Sequence, residues 1–256
     1  MPSTRELFEK YAAAVAYVAV ERSDGGQHVG TAFHVGEGVF VTARHVVEGF
    51  KILEISTTID WSRPGSSGLL ALSRQDVEFT SFDSRKGTIR AGPYFHSDPS
   101  IDVAALLVDG IVAPTIPLGG HLDDWINDEA FILREVLIMG YPRVPLAKKN
   151  VLLATRAEVN AIIDPYTGKH PRFIVSSIAR GGFSGGPCMI EWDFALGLVT
   201  NSLLIDDKPA ELGFMSVITG EPILECLGQN RIMPKELSAL WEGLFEPSSQ
   251  SGSKLP

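Results

Sequence analysis

The chain has 256 residues, of which 45% are hydrophobic and 21% are charged, and its mean hydropathy is +0.12. This composition is typical of a folded globular protein and excludes a largely disordered one. The formal net charge of -9 argues against binding to nucleic acid or to an anionic membrane surface, because like charges repel. Only Cys188 and Cys226 are present, which favours a reducing compartment but leaves a single bridge between them open.

The chain begins with a predicted helix and continues mostly as predicted strands. Residues 3–11 favour a helix, with Ser3 or Thr4 as the N-cap and Glu6 in the capping-box position. Short β-branched or alternating runs, separated by turn residues, then indicate the antiparallel strands of a sandwich or barrel. The predicted strands cover residues 14–20, 30–35, 39–42, 103–108, 136–139, 172–176, 196–200 and 213–218.

Three further segments depart from this β pattern. Residues 56–92 are long and polar and predict a surface loop, with a role in covering a cleft or binding a regulator as the alternative. Pro234 is predicted to open a C-terminal helix with an apolar stripe. That stripe consists of Leu237, Leu240, Trp241, Leu244 and Phe245. Residues 247–256 are rich in polar and turn residues and predict a disordered tail.

A glycine-rich segment at residues 181–187 (GGFSGGP) places Ser184 among four glycines. Glycine permits positive φ angles and close approach of a substrate to the backbone, so Ser184 is a candidate nucleophile. The segment also matches the nucleophile elbow of α/β-hydrolases, in which the histidine follows the serine. That alternative is excluded because every histidine precedes Ser184. The histidines are His28, His34, His45, His96, His121 and His170.

Two earlier segments supply a candidate base and a candidate acid. His45 follows an apolar strand in residues 39–47 (VFVTARHVV), which would mount it rigidly at the end of that strand. Asp102 directly precedes the apolar run at residues 103–106 and is therefore expected to be partly buried. Burial of a carboxylate requires a partner, and the N–H group of a histidine is a suitable one.

Residues 42–47 (TARHVV), 101–104 (IDVA) and 182–187 (GFSGGP) together resemble the three catalytic motifs of trypsin-like serine peptidases, especially bacterial Deg-type proteases. The resemblance extends over about residues 15–218 and implies an all-β fold of two packed six-stranded antiparallel β-barrels, with short N-terminal and C-terminal helices. The implied domains are a first barrel at 12–122 with His45 and Asp102, a second at 123–228 with Ser184, a helix at 229–246 and the tail. A C-terminal peptide-binding module is not expected.

The resemblance also implies the roles of individual residues. Ser184 would attack the scissile carbonyl, His45 would accept and return the proton, and Asp102 would orient the imidazole. The N–H groups of Gly182 and Ser184 would form the oxyanion hole. The implied substrate pocket consists of Ile178, Thr200, Asn201, Ser202 and Gly213. An uncharged residue at Ile178 favours uncharged side chains before the scissile bond.

The function predicted from the sequence is therefore a serine endopeptidase that requires no metal or organic cofactor. Its partners are a protein or peptide substrate and an unidentified regulatory protein, without nucleic acid or membrane. Two alternatives stay open, namely a catalytically silent binding module with the same fold and an esterase acting on small acyl groups. The expected location is the bacterial cytoplasm, with secretion not excluded.

Overall fold

The computed structural model describes residues 1–59, 85–120, 129–165, 170–177, 181–202, 204–205, 208–209 and 213–238. Twelve of its strands form two closed six-stranded antiparallel barrels, as the sequence predicts. The first barrel contains β1 (Val15–Glu21), β2 (Gln27–Gly36), β3 (Val39–Thr42), β4 (Lys51–Thr57), β5 (Arg85–Phe95) and β6 (Ala104–Asp109). The remaining strands are β7 (Glu135–Gly140), β8 (Leu153–Ile163), β9 (Arg172–Val175), β10 (Pro187–Ile190), β11 (Phe194–Ser202), β12 (Leu204–Ile205), β13 (Lys208–Pro209) and β14 (Met215–Thr219). The second barrel consists of β7–β11 and β14, while β12 and β13 form a separate hairpin.

The two barrels share a continuous hydrophobic core along their contact. All four residues of β3 are buried, because one face of the strand points into its barrel and the other is covered. Tyr141, at the end of β7, is buried at the junction. Its hydroxyl donates to the carbonyl of Val15 at 3.3 Å, and its ring meets that of Tyr17 edge-on at 5.4 Å between centroids. Tyr141 therefore connects the second barrel to the first strand of the first barrel.

Three complete short helices of the described chain attach to this body. The first, α1 (Thr4–Tyr11), has Ser3 as its N-cap and Glu6 completing the capping box. Lys10 and Tyr11 both bind Asp193 of the second barrel, at 2.5 Å and 3.0 Å, so α1 is fixed against that barrel. The other two helices are α2 (Arg44–Val47) and α3 (Gly220–Gln229), with 3-10 turns at Ala12–Ala14 and Glu129–Phe131. Among the described residues, no helix is long and apolar enough to cross a membrane.

The structure extends the predicted list of elements and corrects one interpretation. Each predicted strand overlaps an observed strand, but β4, β5, β8, β10, β12, β13 and α3 were not predicted. The prediction of a surface loop over residues 56–92 is wrong for its last part, because β5 begins at Arg85 and completes the first barrel. Residues 60–84 lie outside the described part of the chain. So do most of the predicted C-terminal stripe and the tail, although residues 235–238 are helical and Leu237 is buried.

Candidate active site

His45 and Asp102 form a hydrogen-bonded pair on the first barrel. His45 lies in α2, the helical turn that directly follows β3. Its ring Nδ1 is 2.8 Å from Oδ2 of Asp102, and its backbone N–H donates to Oδ1 of the same carboxylate at 2.9 Å. Because the carboxylate binds both the ring and the backbone of one residue, it fixes the orientation of the ring. Nδ1 then carries the proton, and Nε2 has the free lone pair of a base.

Asp102 is held in place by its neighbours in the chain. Ile101 and Val103 on either side are buried, and the N–H of Val103 donates to the carbonyl of Ile101 at 2.9 Å. The guanidinium of Arg172, from the second barrel, donates to Oγ1 of Thr200 at 3.1 Å. Burial lowers the pKa of Arg172, whereas the negative charge of Asp102 acts in the opposite direction. The carboxylate of Asp102 thus lies in the field of a cation supplied by the other barrel.

Ser184 lies in a tight loop before β10, and two glycines of the loop combine a positive φ angle with no room for a Cβ atom. Gly182 has φ +108, and a Cβ atom there would overlap the backbone of Tyr141 and Pro142. Gly185 has φ +84, and a Cβ atom there would overlap the carbonyl of Thr31 on the first barrel. The nucleophile loop is therefore pressed against both barrels, and its shape depends on the absence of side chains.

Two backbone amides of this loop have no acceptor in the described part of the chain. Within the described residues, neither the N–H of Gly182 nor that of Ser184 has a hydrogen-bond acceptor. Gly182, Ser184 and His45 line one cavity of ≈680 Å³ that opens between the barrels. Backbone N–H groups are usually satisfied, so a pair of donors left free beside a serine is suited to bind an oxyanion.

Thr31 joins the first barrel to the nucleophile loop and was not singled out from the sequence. Its Oγ1 donates to the carbonyl of Gly182 at 2.6 Å and accepts from the N–H of Tyr141 at 2.9 Å. Its own N–H donates to the carbonyl of Ser184 at 2.9 Å. The side chain is fully buried. A hydroxyl in the buried part of β2 was the available signal, because a buried hydroxyl must find partners.

Phe183 supports the loop from the other side. It is buried in the core cluster of the second barrel, with Ile138 and Cys188 among the members of that cluster. Gly140 leaves the space that the Phe183 ring occupies, since a Cβ atom at Gly140 would lie 2.8 Å from that ring. Packing of an aromatic ring thus anchors the residue next to the candidate nucleophile.

The predicted substrate-pocket residues are only partly within the described chain. Thr200 lies in β11 with its hydroxyl buried and donating to the carbonyl of Ser216 at 3.2 Å. Gly213 has φ +72 and open space around it. The backbone of Asn201 and Ser202 continues β11, and Ile178 lies outside the described residues. Neither Thr200 nor Gly213 lines the cavity that contains Ser184.

The other described histidines have structural surroundings or lie at the cavity. His34 is buried, with Nδ1 2.9 Å from the carbonyl of Pro114, as expected for a structural residue. His96 and His170 were assigned no task from the sequence, yet both are buried against Glu225 of α3, at 2.9 Å and 3.4 Å. His28 lines the cavity. Cys188 and Cys226 are both free and buried, so the open question of a bridge is answered in the negative.

The sequence model of the trypsin-like peptidase domain matches residues 30–194, a stretch that includes His45, Asp102 and Ser184. The double barrel and this family match define a serine-type endopeptidase. The chain belongs to the trypsin-like peptidase family. A search of curated proteins by sequence finds no match.

Solved structures of bacterial proteases share the fold at low sequence identity. The Rv3671c protease from M. tuberculosis in its active form is similar with a TM-score of 0.55 and 19% identity, over 85% of this chain and 80% of that one. The serine endoprotease from Yersinia pestis is similar with a TM-score of 0.57 and 20% identity, over 91% of this chain and 67% of that one. The HtrA-type protease AlgW with a tripeptide is similar with a TM-score of 0.59 and 18% identity, over 90% of this chain and 64% of that one. This chain therefore spans less than two thirds of the AlgW chain.

Proposed function

We propose that this chain is a serine endopeptidase in which His45, Asp102 and Ser184 form the catalytic triad. One observation carries the proposal. The carboxylate of Asp102 binds both the backbone and Nδ1 of His45 on the first barrel, and His45 shares a cavity with Ser184 and two unoccupied amides. An oriented base, a serine and free backbone donors are the groups that acyl transfer through a serine uses.

In the proposed reaction, Oγ of Ser184 attacks the carbonyl carbon of the scissile peptide bond as its proton moves to Nε2 of His45. The carboxylate of Asp102 stabilises the resulting imidazolium, because it already accepts the N–H of Nδ1. The imidazolium then protonates the leaving amine, and the C–N bond breaks. A water molecule next gives its proton to His45 and attacks the acyl-enzyme, which releases the acid and regenerates the Ser184 hydroxyl.

The N–H groups of Gly182 and Ser184 are proposed to bind the negative oxygen of the tetrahedral intermediate. Each such donor contributes about 3–4 kcal/mol to transition-state stabilisation in comparable sites. The hydrogen bond from Thr31 to the carbonyl of Gly182 supports this role, because that carbonyl lies between the two amides in the chain and the bond holds this part of the loop in place.

The side chain before the scissile bond is proposed to enter a pocket on the second barrel. The proposed lining is Ile178, Thr200, Asn201, Ser202 and Gly213. An uncharged residue at Ile178 supports a preference for uncharged side chains, since a buried Lys or Arg head would lack a counter-charge. The two free cysteines support a reducing compartment, and we propose the bacterial cytoplasm.

The experiment that tests the proposal is cleavage of a peptide library by the purified chain, with Ser184→Ala as the matched control. Cleavage of internal peptide bonds by the wild type and none by Ser184→Ala would support the endopeptidase. Hydrolysis of a chromogenic ester without cleavage of any peptide would favour an esterase instead. Absence of both activities from folded protein would favour a silent binding module.

A further inference from the structure

The cavity beside Ser184 is lined by residues of both barrels. At one end it is lined by His45, Gly182 and Ser184. The other end is formed by the hairpin that joins β1 to β2 and by the loop after β7. The side chains of Arg22 and His28 come from the hairpin, and that of Arg143 comes from the loop.

The half of the substrate that enters this cavity follows from the proposed reaction, on which the inference rests. The imidazole of His45 protonates the leaving amine, so the leaving-group half of the peptide passes His45. The cavity continues past His45 to Val46, and it includes neither Thr200 nor Gly213 of the proposed acyl-side pocket. The residues that follow the scissile bond therefore lie in this cavity.

The far end of the cavity is positively charged. Arg22 and Arg143 are exposed, and neither has a carboxylate within ion-pair distance among the described residues. The acids of the hairpin are already engaged, because Glu21 pairs with Lys51 at 3.6 Å and Asp24 accepts the N–H of Gly26 at 2.8 Å. Of the described residues that line the cavity, none is an aspartate or glutamate. Two guanidiniums in one cleft, without a carboxylate partner in the described part of the chain, contrast with the net charge of -9 on the whole chain.

The strand β2 gives the distance between this positive charge and the scissile bond. Thr31 is hydrogen-bonded to the carbonyl of Ser184, and the strand runs back from there toward His28 and the turn. Extended chains advance about 3.3 Å per residue, so His28 lies about 10 Å from Thr31. An extended substrate covers that span with about three residues. Arg22 closes the turn through its N–H to the carbonyl of Gly26, and its guanidinium lies over the Phe50 ring at 5.7 Å.

We propose that Arg22 and Arg143 select substrates with a carboxylate at the second or third residue after the scissile bond. The ligand class is an acidic peptide, and the carboxylate belongs either to an Asp or Glu side chain or to the terminus of the peptide. The guanidinium groups suit this ligand because they bind carboxylates in a bidentate manner.

The kinetic test uses the best peptide from the library, with Glu, Gln or Lys at the second and third positions after the cleaved bond. Glu is expected to raise kcat/KM about fivefold over Gln, the size expected of exposed ion pairs. Raising the salt concentration should reduce this preference. The double variant Arg22→Glu/Arg143→Glu should reverse it toward Lys, whereas Lys86→Glu on the opposite side of the barrel should leave it unchanged.

Two forms of the peptide distinguish the source of the carboxylate. A short peptide that ends at the third position is compared as the free acid and as the amide. A preference for the acid form alone indicates recognition of the terminus, whereas a preference for internal Glu in longer peptides indicates recognition of the side chain. Equal kcat/KM for Glu, Gln and Lys, and for acid and amide, would overturn the inference while leaving the proposed peptidase intact.

A binding measurement separates the inference from the proposed function. Fluorescence anisotropy of a labelled leaving-group peptide with Glu at the second and third positions is recorded on Ser184→Ala protein, and a Gln version serves as the reference. Tighter binding of the Glu peptide, lost in Ser184→Ala/Arg22→Glu/Arg143→Glu, supports the site even where hydrolysis fails. Equal binding of the two peptides rejects it.

Discussion

The two barrels hold their parts of the candidate site by different means. On the first barrel, the orientation of His45 is set by side-chain chemistry, because one carboxylate binds its ring and its backbone. On the second barrel, the loop of Ser184 is set by backbone shape, with Gly182 and Gly185 at positive φ and no room for a Cβ atom. On the first barrel, replacing the carboxylate of Asp102 should therefore abolish the orientation of His45. On the second barrel, adding a single methyl group at Gly182 or Gly185 should be enough to distort the loop of Ser184.

The largest expected effect tests the side-chain half of this comparison. Asp102→Asn retains the shape of the side chain but places an amide where Nδ1 of His45 needs an acceptor. The imidazole then adopts the wrong tautomer, and we expect kcat to fall about 10⁴-fold. The control is Asp109→Asn at the exposed end of β6, which should retain activity. The measurement is kcat for peptide hydrolysis by both variants. Equal values of kcat for Asp102→Asn and Asp109→Asn would mean that Asp102 does not orient the base.

The next effect tests the backbone half. Gly182→Ala adds a Cβ atom where the backbone of Tyr141 and Pro142 already lies, so the loop and its free amide must move. We expect kcat to fall about 10²–10³-fold, the loss associated with one oxyanion-hole donor. Gly181→Ala is the matched control, because a Cβ atom there meets nothing within 4 Å. A similar loss in both variants would show that the loop is not held by close packing.

A smaller effect is expected at the connection between the two halves. Thr31→Val removes the hydroxyl that binds the carbonyl of Gly182 and the N–H of Tyr141, and leaves both groups buried and unpaired. We expect the free energy of unfolding to fall by about 1–3 kcal/mol. Peptidase kcat should fall as well, because Gly182 is no longer held. Chemical denaturation and kinetics of Thr31→Ser, which keeps the hydroxyl, provide the comparison, and a Val variant with wild-type kcat would contradict this role.

The smallest effect concerns Glu225, which joins α3 to both barrels through His96 and His170. Hydrogen bonds from His170 and then His96 lower the pKa of Glu225 below its ordinary value, although burial opposes them. The stabilisation is therefore present above the ordinary carboxyl pKa and is lost as the pH falls through the folded-state value. Glu225→Gln should lower the unfolding free energy by about 1 kcal/mol near neutral pH. The difference in unfolding free energy between the two proteins should vanish in acid. Thermal melts of both proteins across a range of pH measure it, and a difference that does not change with pH would contradict this role of Glu225.

The candidate triad could be predicted from the sequence because each member lies in a short motif whose local context is informative. Ser184 is surrounded by glycines, and His45 and Asp102 each adjoin an apolar strand. By contrast, β5 was not predicted, because many of its residues are exposed or half-buried and the strand does not show a regular alternation of apolar and polar residues. The helix α3 was missed because it begins with Gly220 and has Pro222 in its first turn.

The features that depend on contacts between distant segments could not be predicted. Thr31 is an ordinary strand residue until the fold brings Gly182 against it. Arg22 and Arg143 meet at one cavity only because the hairpin of the first barrel and the loop after β7 face each other. Sequence patterns report the burial and backbone preferences of neighbours in the chain, and they do not specify which surfaces of two barrels come together.

The central claim is that the first barrel activates a serine on the second, and covalent labelling tests it most directly. The protein is treated with a fluorophosphonate, the rate of adduct formation is followed by intact mass, and the modified residue is identified by peptide mapping. We predict rapid addition of one label at Ser184 in the wild type, much slower labelling in His45→Ala, and none in Ser184→Ala. Equal labelling rates in the wild type and His45→Ala, or a label on a different serine, would contradict the account.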